Sequence, residues 1–567
     1  MIRDPHSLAN TGFDVLVIGG GIHGACVARE AARAGLCTAL VERGDFGSGT
    51  SHNSLKIVHG GLRYLQHLDL ARTRESVRER SFWLRSAPHL VRPLGFLMPL
   101  HDHLTRGPLA LWAGLRTHEL IGRDRNRGLA DDRRLPRGQL ISADEVKKIM
   151  PGLKNEHLTG GAIWYDGQML DADRLLMICI EDAVARGAVV CNYVSAQRIA
   201  VKDGKVQGAE LEDALSGERF FARAARVVNA AGPWAGELAQ SAFKQPATTQ
   251  LRHTKNMNLI VPQVIASELA VGVKSRRRSD SLLDASNRLF FITPWRGMSV
   301  IGTTHVPYAG TADACRFEAD DVEGFLAEIN AAYAFGLTPD DVCYCYGGLT
   351  PADDGHRHGE PRRAKRGAII DHGASDRVAG LFSLIGIKYT TARLSAEQAV
   401  DSVVRSLGCS DARRQTRDLE LPGGAAYESQ AALEARLADA IGTSGGAEQE
   451  AFAATFGADI DAALKLGAWS PADGEDALFR CRVRYAVRRE MAQRLEDVVI
   501  RRSDRLARGR LSEQDLLWAG DFMARELDWT PARQRDELEA ARRAATRHWA
   551  KLRPMAESAP SAASHAG

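Results

Sequence analysis

Closely spaced glycines near the N-terminus have the pattern that binds a diphosphate. Residues 19–24 read GGGIHG, which fits G-x-G-x-x-G. In this pattern the first glycine makes a tight turn, the second lets backbone N–H groups approach a pyrophosphate, and the third lets a helix lie close to a sheet. Gly19, Gly21 and Gly24 therefore predict a site for a dinucleotide.

An acidic residue follows at the distance at which such a site holds a ribose. Glu42 comes about 20 residues after the glycines, where a carboxylate accepts hydrogen bonds from both ribose hydroxyls. Its negative charge argues against a 2′-phosphate. The motif is shared by proteins that bind NAD and FAD, so by itself it leaves both cofactors open.

The elements that must position these residues are predicted in the matching order. Residues 14–18 have the pattern of a buried strand, 25–34 that of a helix of small residues, and 37–41 that of a second strand ending at Glu42. A glycine turn that only packs a helix on a sheet is the alternative. The strand, helix, strand and acidic residue in register favour dinucleotide binding.

The segments that follow resemble a known enzyme family. Residues 49–65 read GTSHNSLKIVHGGLRYL, and the other matching segments are APHL at 87–90, VNAAGPW at 228–234, IGTT at 301–304, GIKYTT at 386–391, VRYAVRREMA at 483–492 and LEDV at 495–498. On these motifs, which are spread over nearly the whole chain, it closely resembles the flavin-dependent, membrane-associated glycerol-3-phosphate dehydrogenases.

The resemblance implies a fold class and a reaction. The expected fold is α/β, with an FAD-binding Rossmann-like domain of the glycine-oxidase or glutathione-reductase type, a mixed-sheet substrate domain and a C-terminal all-α domain. FAD is expected to be bound non-covalently, with a secondary alcohol placed against flavin N5 for hydride transfer. The expected partners are a small substrate, sn-glycerol 3-phosphate or a related polyol phosphate, and a membrane quinone as electron acceptor, or oxygen as in some members.

The same resemblance assigns residues to the cofactor. Gly19, Gly21, Gly24 and Glu42 are expected to hold the ADP half of FAD. Residues expected along the isoalloxazine are Thr50, Ser51, Ser54, Lys56 and Gly60, with Gly386, Lys388, Thr390 and Thr391 at its other end.

Alcohol oxidation by a flavin also requires a base for the hydroxyl proton and positive charge near the reduced flavin. The expected catalytic residues are His59, Arg63, Arg366 and Lys388. Arg63 and Arg366 match basic positions of the family pocket. His23 is a second candidate base, although its place inside the glycine turn favours packing.

Two expected pocket residues, Asn258 and Thr350, depart from the family pattern. The family usually has an arginine that holds the substrate phosphate at the position of Thr350, and a histidine, a candidate proton acceptor, at that of Asn258. A threonine offers one hydroxyl and no charge. Losing one charge-assisted pair in a partly desolvated pocket costs on the order of 2–5 kcal/mol, or roughly thirtyfold to several thousandfold in affinity.

Three hypotheses follow. The first is a dehydrogenase of the glycerol-3-phosphate type with altered preference, toward a larger polyol phosphate or an uncharged or carboxylate-bearing alcohol. The second is an FAD-dependent oxidase or dehydrogenase of an amine or amino acid on the same fold. The third is a flavin-binding paralogue that has lost its base and anchor and is not an enzyme.

Composition sets wider bounds. The chain of 567 residues is longer than a single hydrophobic core usually accommodates. Its 74 Lys plus Arg against 71 Asp plus Glu give no reason to propose nucleic acid as a partner. The nine cysteines lack zinc-ligand spacing, so no metal is predicted and a reducing compartment is indicated. Neither a signal peptide nor a membrane span is recognisable. We expect a cytoplasmic protein, peripheral on the inner face of the membrane by analogy, and a homodimer.

Three regions are predicted along the chain. Residues 1–420 are expected to form the oxidoreductase unit with interleaved FAD-binding and substrate subdomains, 425–553 a helical domain, and 554–567 a disordered tail. Residues 226–232, 288–294, 298–303 and 381–386 have strand patterns, and 390–407 a helical one. The arginines between Arg482 and Arg502, interleaved with acidic residues, predict a solvated helix with salt bridges.

Overall fold

A computed structural model describes residues 1–554 apart from 102–107, 152, 154–156, 244–250, 279–286, 334, 354–361, 365, 410–419 and 444. Strands of this described chain are β1 (Gly12–Ile18), β2 (Thr38–Val41), β3 (Ile57–Val58), β4 (Val91–His101), β5 (Gln139–Ile141), β6 (Leu158–Met169), β7 (Val189–Cys191), β8 (Val194–Lys202), β9 (Lys205–Asp213), β10 (Arg219–Asn229), β11 (Arg252–Pro262), β12 (Ala270–Arg278), β13 (Asn287–Trp295), β14 (Met298–Gly302), β15 (Val306–Tyr308), β16 (Tyr344–Asp353), β17 (Arg362–Arg363), β18 (Ala368–Asp371) and β19 (Leu381–Ile385).

Its α-helices are α1 (Pro5–Asn10), α2 (Ile22–Arg33), α3 (Leu70–Ser86), α4 (Pro108–Ile121), α5 (Ala143–Ile149), α6 (Ala172–Ala185), α7 (Ala235–Gln240), α8 (Ala319–Ala332), α9 (His372–Ser375), α10 (Ala392–Leu407), α11 (Gln430–Ile441), α12 (Ala447–Phe456), α13 (Ile460–Leu466), α14 (Ala477–Arg489), α15 (Glu513–Glu526) and α16 (Pro531–Arg547). Short 3₁₀ turns include Leu62–His67 and Gly232–Trp234, and Asp497–Arg501 is a π-helical turn.

The first sheet carries the predicted dinucleotide unit. Its strand order is β18-β19-β10-β1-β2-β7, with β9 paired to β10 and β8 to β9. Strands β7, β2, β1, β10 and β19 run parallel, as the βαβ pattern predicts, so their carboxyl ends meet at one edge. The strands predicted at 226–232 and 381–386 are β10 and β19.

Small residues let the helices pack closely on this sheet. Ala25, Ala28 and Ala31 on α2 are fully buried in the core that α2 shares with α6 and α10. An alanine face presents only methyl groups, so the helix axes approach closely and the backbone at the start of α2 stays near the end of β1.

The second sheet is the predicted mixed-sheet unit. Its strand order is β17-β16-β11-β14-β13-β12-β4-β6-β3, with β15 paired to β11 and β5 to β6. Strands β13 and β14 are antiparallel neighbours, which confirms the prediction made for 288–294 and 298–303. Because the chain alternates between the two sheets, β3 belongs to the second sheet although it follows β2 of the first.

The C-terminal helices pack on the second sheet and reach the first. Trp295, Tyr344 and Tyr346 of the second sheet share a buried cluster with side chains of α14, α15 and α16. Beyond residue 421 the regular elements of the described chain are helices, apart from one isolated bridge between Ser512 and Arg553. The tail predicted from 554 onward lies outside the described residues except for Pro554.

The prediction of a solvated arginine helix is wrong for Arg501 and Arg502. Arg502 is 2% exposed and pairs with Asp45, at 3.0 Å, and with Glu490, at 3.0 Å. Arg501 binds the same Asp45 at 2.6 Å. Asp45 lies three positions after Glu42. Its partners Arg501 and Arg502 are therefore remote from it in the sequence, and local spacing does not reveal them. Removing one partner of a buried pair costs about 3–5 kcal/mol, so this network fastens the helical region to the predicted ribose loop.

No helix within the described residues has the length and apolarity needed to cross a membrane.

Candidate functional site

The glycine loop forms a close-fitting turn between β1 and α2. Gly19 has φ +110°, and a Cβ there would lie 2.5 Å from the carbonyl oxygen of Ala230. A Cβ on Gly24 would lie 1.8 Å from the carbonyl oxygen of Gly19, so only glycine allows the helix to begin this close to the strand. Gly21 is the N-cap of α2 and has no side chain to cover the helix N-terminus. The turn therefore leaves backbone N–H groups open to a diphosphate.

Glu42 is held beside this turn. One carboxylate oxygen accepts from the Gly20 N–H at 2.6 Å and the other from the Gly44 N–H at 2.8 Å. Each oxygen keeps a second lone pair with which it can accept from a ribose hydroxyl. Burial raises the pKa of Glu42, and the two backbone N–H groups oppose that shift. The cradle and its carboxylate fit the ADP half of FAD.

Residues 49–61, called the flavin loop here, connect the two sheets. At its start the Ser51 hydroxyl accepts from the Ile22 N–H at 2.9 Å, and the Thr50 hydroxyl donates to the Leu349 carbonyl at 2.8 Å. At its end the His59 N–H donates to the Thr390 hydroxyl at 3.0 Å. The loop therefore runs from the dinucleotide turn, past β16, to the start of α10.

Ser54 and Lys56 occupy the middle of the loop. The Ser54 hydroxyl accepts from the Lys56 N–H at 3.4 Å. The Lys56 side chain is buried, with Nζ 4.5 Å from the ring centre of Tyr346 and 5.2 Å from that of Trp295, and burial lowers its pKa. Its side chain thus fastens the loop against the second sheet, and only its backbone is left to line a flavin.

Gly60 and His59 sit against a buried carboxylate. The Gly60 N–H donates to Asp166 at 2.5 Å, and a Cβ on Gly60 would lie 2.0 Å from a guanidinium nitrogen of Arg80. The His59 ring is 44% exposed, and its Nδ1 lies 3.9 Å from the second oxygen of Asp166. This carboxylate can stabilise an imidazolium at His59.

Three residues gather where the flavin loop ends. The Lys388 ammonium lies 4.2 Å from the ring centre of Tyr64 and donates to its hydroxyl. Burial, together with the charge of Arg63, lowers the pKa of Lys388 to about 8. The Arg63 side chain is exposed. Two of the predicted catalytic residues therefore lie together as adjacent cations.

Gly386, Thr390 and Thr391 surround the same corner. A Cβ on Gly386 would overlap the His23 ring at 2.1 Å, so β19 ends in contact with the start of α2. Thr390 also accepts from the Trp83 indole N–H through its carbonyl at 3.0 Å, and Thr391 is the N-cap of α10. Burial lowers the pKa of His23 to about 4, which favours the packing role.

Arg366 is placed outside this corner. Its side chain is 71% exposed and forms an ion pair with Asp69 at 2.9 Å. Asp69 also caps α3, and its backbone N–H donates to the Tyr64 carbonyl at 3.1 Å. Arg366 is therefore linked to Tyr64 only through Asp69, and its charge is already paired with that carboxylate.

Asn258 and Thr350 lie on neighbouring strands of the second sheet. Asn258 is 2% exposed and its amide oxygen accepts from the Thr303 hydroxyl at 2.7 Å. Thr350 lies opposite Thr254, with their hydroxyls 3.0 Å apart, and accepts from the Asn256 amide nitrogen at 2.8 Å. The amide oxygen of Asn256 contacts Nδ1 of His305. Thr254, Asn256, Thr350 and His305 are called the polar strip below.

Sequence reasoning does not identify Tyr64, Asp166, Asn256 and His305 as residues of the site. Tyr64 was visible beside Arg63, and His305 directly follows a shared motif. Asp166 and Asn256 gave no signal, because their partners come from other strands.

Comparisons with known proteins agree with this architecture. Residues 14–401 match the family described as FAD dependent oxidoreductase, and residues 414–534 match the C-terminal domain of alpha-glycerophosphate oxidase. A Synechocystis glycerol-3-phosphate dehydrogenase is 34% identical over 525 residues, covering 88% of this chain and 90% of that protein. The human mitochondrial glycerol-3-phosphate dehydrogenase is 30% identical over 567 residues, covering 95% of this chain and 74% of that protein.

A solved structure matches over nearly its whole length. The glycerol-3-phosphate dehydrogenase from Bacillus halodurans complexed with FAD superposes with a TM-score of 0.75 at 26% identity, covering 96% of each chain.

Gly24→Ala is expected to abolish binding of the flavin nucleotide, because the new Cβ collides with the Gly19 carbonyl and must push α2 away from β1. Gly12→Ala is the matched control. Gly12 begins β1, and nothing lies within 4 Å of a Cβ at that position. Absorbance at flavin wavelengths per mole of purified protein measures the effect. Equal flavin content in both variants would contradict the close-approach argument.

Proposed function

Because the chain belongs to the FAD-dependent oxidoreductase family, and within it to the glycerol-3-phosphate dehydrogenases, we propose that it oxidises the secondary alcohol of a polyol phosphate. FAD is its cofactor, and the glycine turn with Glu42 fits the ADP half of that molecule. The reference substrate is sn-glycerol 3-phosphate.

The observation that carries this proposal is the pair of cations at the end of the flavin loop. Arg63 and Lys388 are close enough for the charge of one to lower the pKa of the other. Among the described residues, no carboxylate raises the pKa of Lys388. Two neighbouring cations that form no ion pair with a carboxylate of the described part of the chain favour an anionic ligand such as a phosphate.

The remaining chemistry is divided among residues of the same corner. Bound FAD would supply the acceptor for the hydride of the alcohol carbon. His59 takes the hydroxyl proton at a ring nitrogen, and Asp166, 3.9 Å away, stabilises the resulting imidazolium. Asn258 has no basic nitrogen. His23 has its pKa lowered to about 4 and packs on Gly386, so His59 is favoured as the base.

Anaerobic reduction of the FAD-loaded protein tests the proposal. Glycerol 3-phosphate or a longer polyol phosphate is expected to bleach the flavin, whereas the matching unphosphorylated polyols act much more slowly because they do not engage Arg63 and Lys388. Bleaching by amines or amino acids alone would instead support the second hypothesis. A flavin that no compound reduces would support the non-catalytic paralogue.

The pKa of Lys388 predicts how substrate binding depends on pH. Below about 8 the side chain is protonated and attracts the phosphate, and as the pH rises through that value the charge is lost. The KM for a polyol phosphate should therefore increase roughly tenfold between pH 7 and 9.5, the effect of one charge-assisted hydrogen bond. Steady-state kinetics measure it.

In Lys388→Met the KM should already be high at pH 7. The further increase of KM between pH 7 and 9.5 should disappear in this variant. Lys148→Met, on the exposed face of α5, removes the same charge far from the site and should leave the rise intact. A persistent rise in Lys388→Met would assign the titration to another group.

A peripheral location on the cytoplasmic face of the membrane, with a membrane quinone as electron acceptor, is part of this proposal, and helix α4 supports the contact with a membrane surface. On its inner face the His118 ring donates to the Gly60 carbonyl at 3.0 Å, which places the helix directly on the flavin loop. On its outer face Trp112 is 46% and Leu120 71% exposed, and Leu68, which ends the turn Leu62–His67, is 83% exposed. Exposed aromatic and aliphatic side chains of this kind bind at a lipid interface.

The double variant Trp112→Ala/Leu120→Ala is expected to lose most of its binding to phospholipid vesicles, measured by co-sedimentation. Thr117→Ala removes an exposed polar side chain from the same helix and is the control. If the double variant keeps binding vesicles but its elution volume shifts from dimer to monomer, the exposed face joins two chains in the expected homodimer instead.

A further inference from the structure

We propose that Arg43, Trp234 and Asp313 form a gate across the glycine turn, which must open for FAD to bind or leave. These three residues are called the clasp here. The gate controls the exchange of the cofactor and does not depend on which alcohol the enzyme oxidises, so this inference goes beyond the proposed function.

Two residues of the clasp follow the strands on either side of β1. In the first sheet β1 lies between β10 and β2, and the glycine turn begins at its carboxyl end. Arg43 comes two residues after β2, and Trp234 ends the 3₁₀ turn that follows β10. Two strand spacings separate β2 from β10 by roughly 10 Å. A contact between Arg43 and Trp234 therefore crosses the carboxyl end of β1, where the diphosphate is expected.

The two side chains meet as a cation and an aromatic ring. The guanidinium carbon of Arg43 lies 4.0 Å from the ring centre of Trp234. The negative face of an indole attracts a guanidinium at this distance. A Cβ on Gly49, at the start of the flavin loop, would lie 3.4 Å from the same indole. The Trp234 ring is therefore packed on the flavin loop as well as on Arg43.

Asp313 closes the clasp from the second sheet. It lies in the 3₁₀ turn Ala312–Ala314, which follows β15. One of its carboxylate oxygens accepts from the Arg43 guanidinium at 2.6 Å and from the Trp234 indole N–H at 2.8 Å. Its carbonyl accepts from Arg316 at 2.8 Å, which fixes the turn. The hydrogen bond from Arg43 lowers the pKa of Asp313, so the carboxylate stays charged at neutral pH.

The clasp encloses the place of the ADP half. Arg43 directly follows Glu42, which is expected to hold the ribose. The segment that leads to Trp234 touches the glycine turn, because a Cβ on Gly19 would lie 2.9 Å from the Cα of Ala231. The contact between Arg43 and Trp234 joins these two segments over the turn. FAD seated on the turn is then enclosed, and the clasp must open before it can leave.

The clasp can open because its ion pair is exposed. The Arg43 side chain is 47% and the Asp313 side chain 63% exposed, so water and salt compete with their interaction. The hydrogen bonds of the clasp join its members to one another, and breaking them removes a barrier rather than a contact with the cofactor. Weakening the clasp should therefore speed association and dissociation of FAD alike and leave the Kd nearly unchanged.

The test starts from the FAD-loaded protein. Exchange of bound FAD for excess radiolabelled FAD gives the dissociation rate, and dilution to equilibrium gives the Kd. In Arg43→Gln the dissociation rate should rise roughly three- to thirtyfold, the combined effect of an exposed ion pair and a cation–π contact, while the Kd changes less than about threefold. Salt at about 1 M should speed exchange in the wild-type protein and have little effect in this variant.

Matched variants separate the clasp from general effects of charge. Arg198→Gln removes an arginine that is 53% exposed and paired with Glu210 on the neighbouring strand, and it should exchange FAD at the wild-type rate. Asp313→Asn should speed exchange as Arg43→Gln does. The double variant should be about as fast as the faster single variant, because both changes break the same contact. Equal melting temperatures show that the variants are folded.

The outcomes decide between a gate and its alternatives. If Arg43→Gln exchanges FAD at the wild-type rate, the clasp is wrong. If its Kd rises as much as its dissociation rate, the residue holds the bound cofactor and is not a gate. Equal acceleration in Arg198→Gln would assign the effect to net charge and would also overturn the clasp. Exchange is measured without substrate, so any of these results leaves the proposed oxidation of a polyol phosphate standing.

Discussion

The contact between the first turn of α2 and the end of β1 is the constraint on which the rest of the structure depends. Gly24 has no room for a side chain above the Gly19 carbonyl, and Gly386, directly after β19, has none beside the His23 ring of α2. Close backbone contact at these points keeps the helix N-terminus at the carboxyl edge of the parallel strands. A diphosphate can bind there, since the N-cap residue Gly21 has no side chain to cover the helix N-terminus.

The flavin loop carries this arrangement from the first sheet to the second. Hydrogen bonds at Thr50, Ser51 and His59 attach it to β16, α2 and α10. The buried Lys56 side chain and the buried pairs of Asp45 fasten its flanks to the second sheet and the C-terminal helices. Charges buried in this way are costly unless paired, so the three regions are held in one geometry around the loop.

Within that geometry, two cations and a set of hydrogen-bonded polar side chains lie at different ends of the flavin loop. Arg63 and Lys388 concentrate positive charge at one end of the loop, and Lys388 is buried enough for its charge to titrate near pH 8. The polar strip at the other end is internally hydrogen-bonded. Helix α4 contacts the same loop through the hydrogen bond between His118 and Gly60, and its opposite face is apolar and exposed. We propose that the loop is the meeting point of cofactor, substrate and membrane surface.

The sequence by itself determined the parallel βαβ unit, the neighbouring strands β13 and β14 and the family, because glycine spacing and hydrophobic alternation are local properties of the chain. It also showed that Thr350 lacks the charge of an arginine. Only the tertiary structure decided that Arg501 and Arg502 are buried against Asp45, that Lys56 points into an aromatic cluster, and that His305 is oriented by Asn256. These contacts join residues far apart in the chain, and no spacing rule predicts which distant strand or loop will supply the partner.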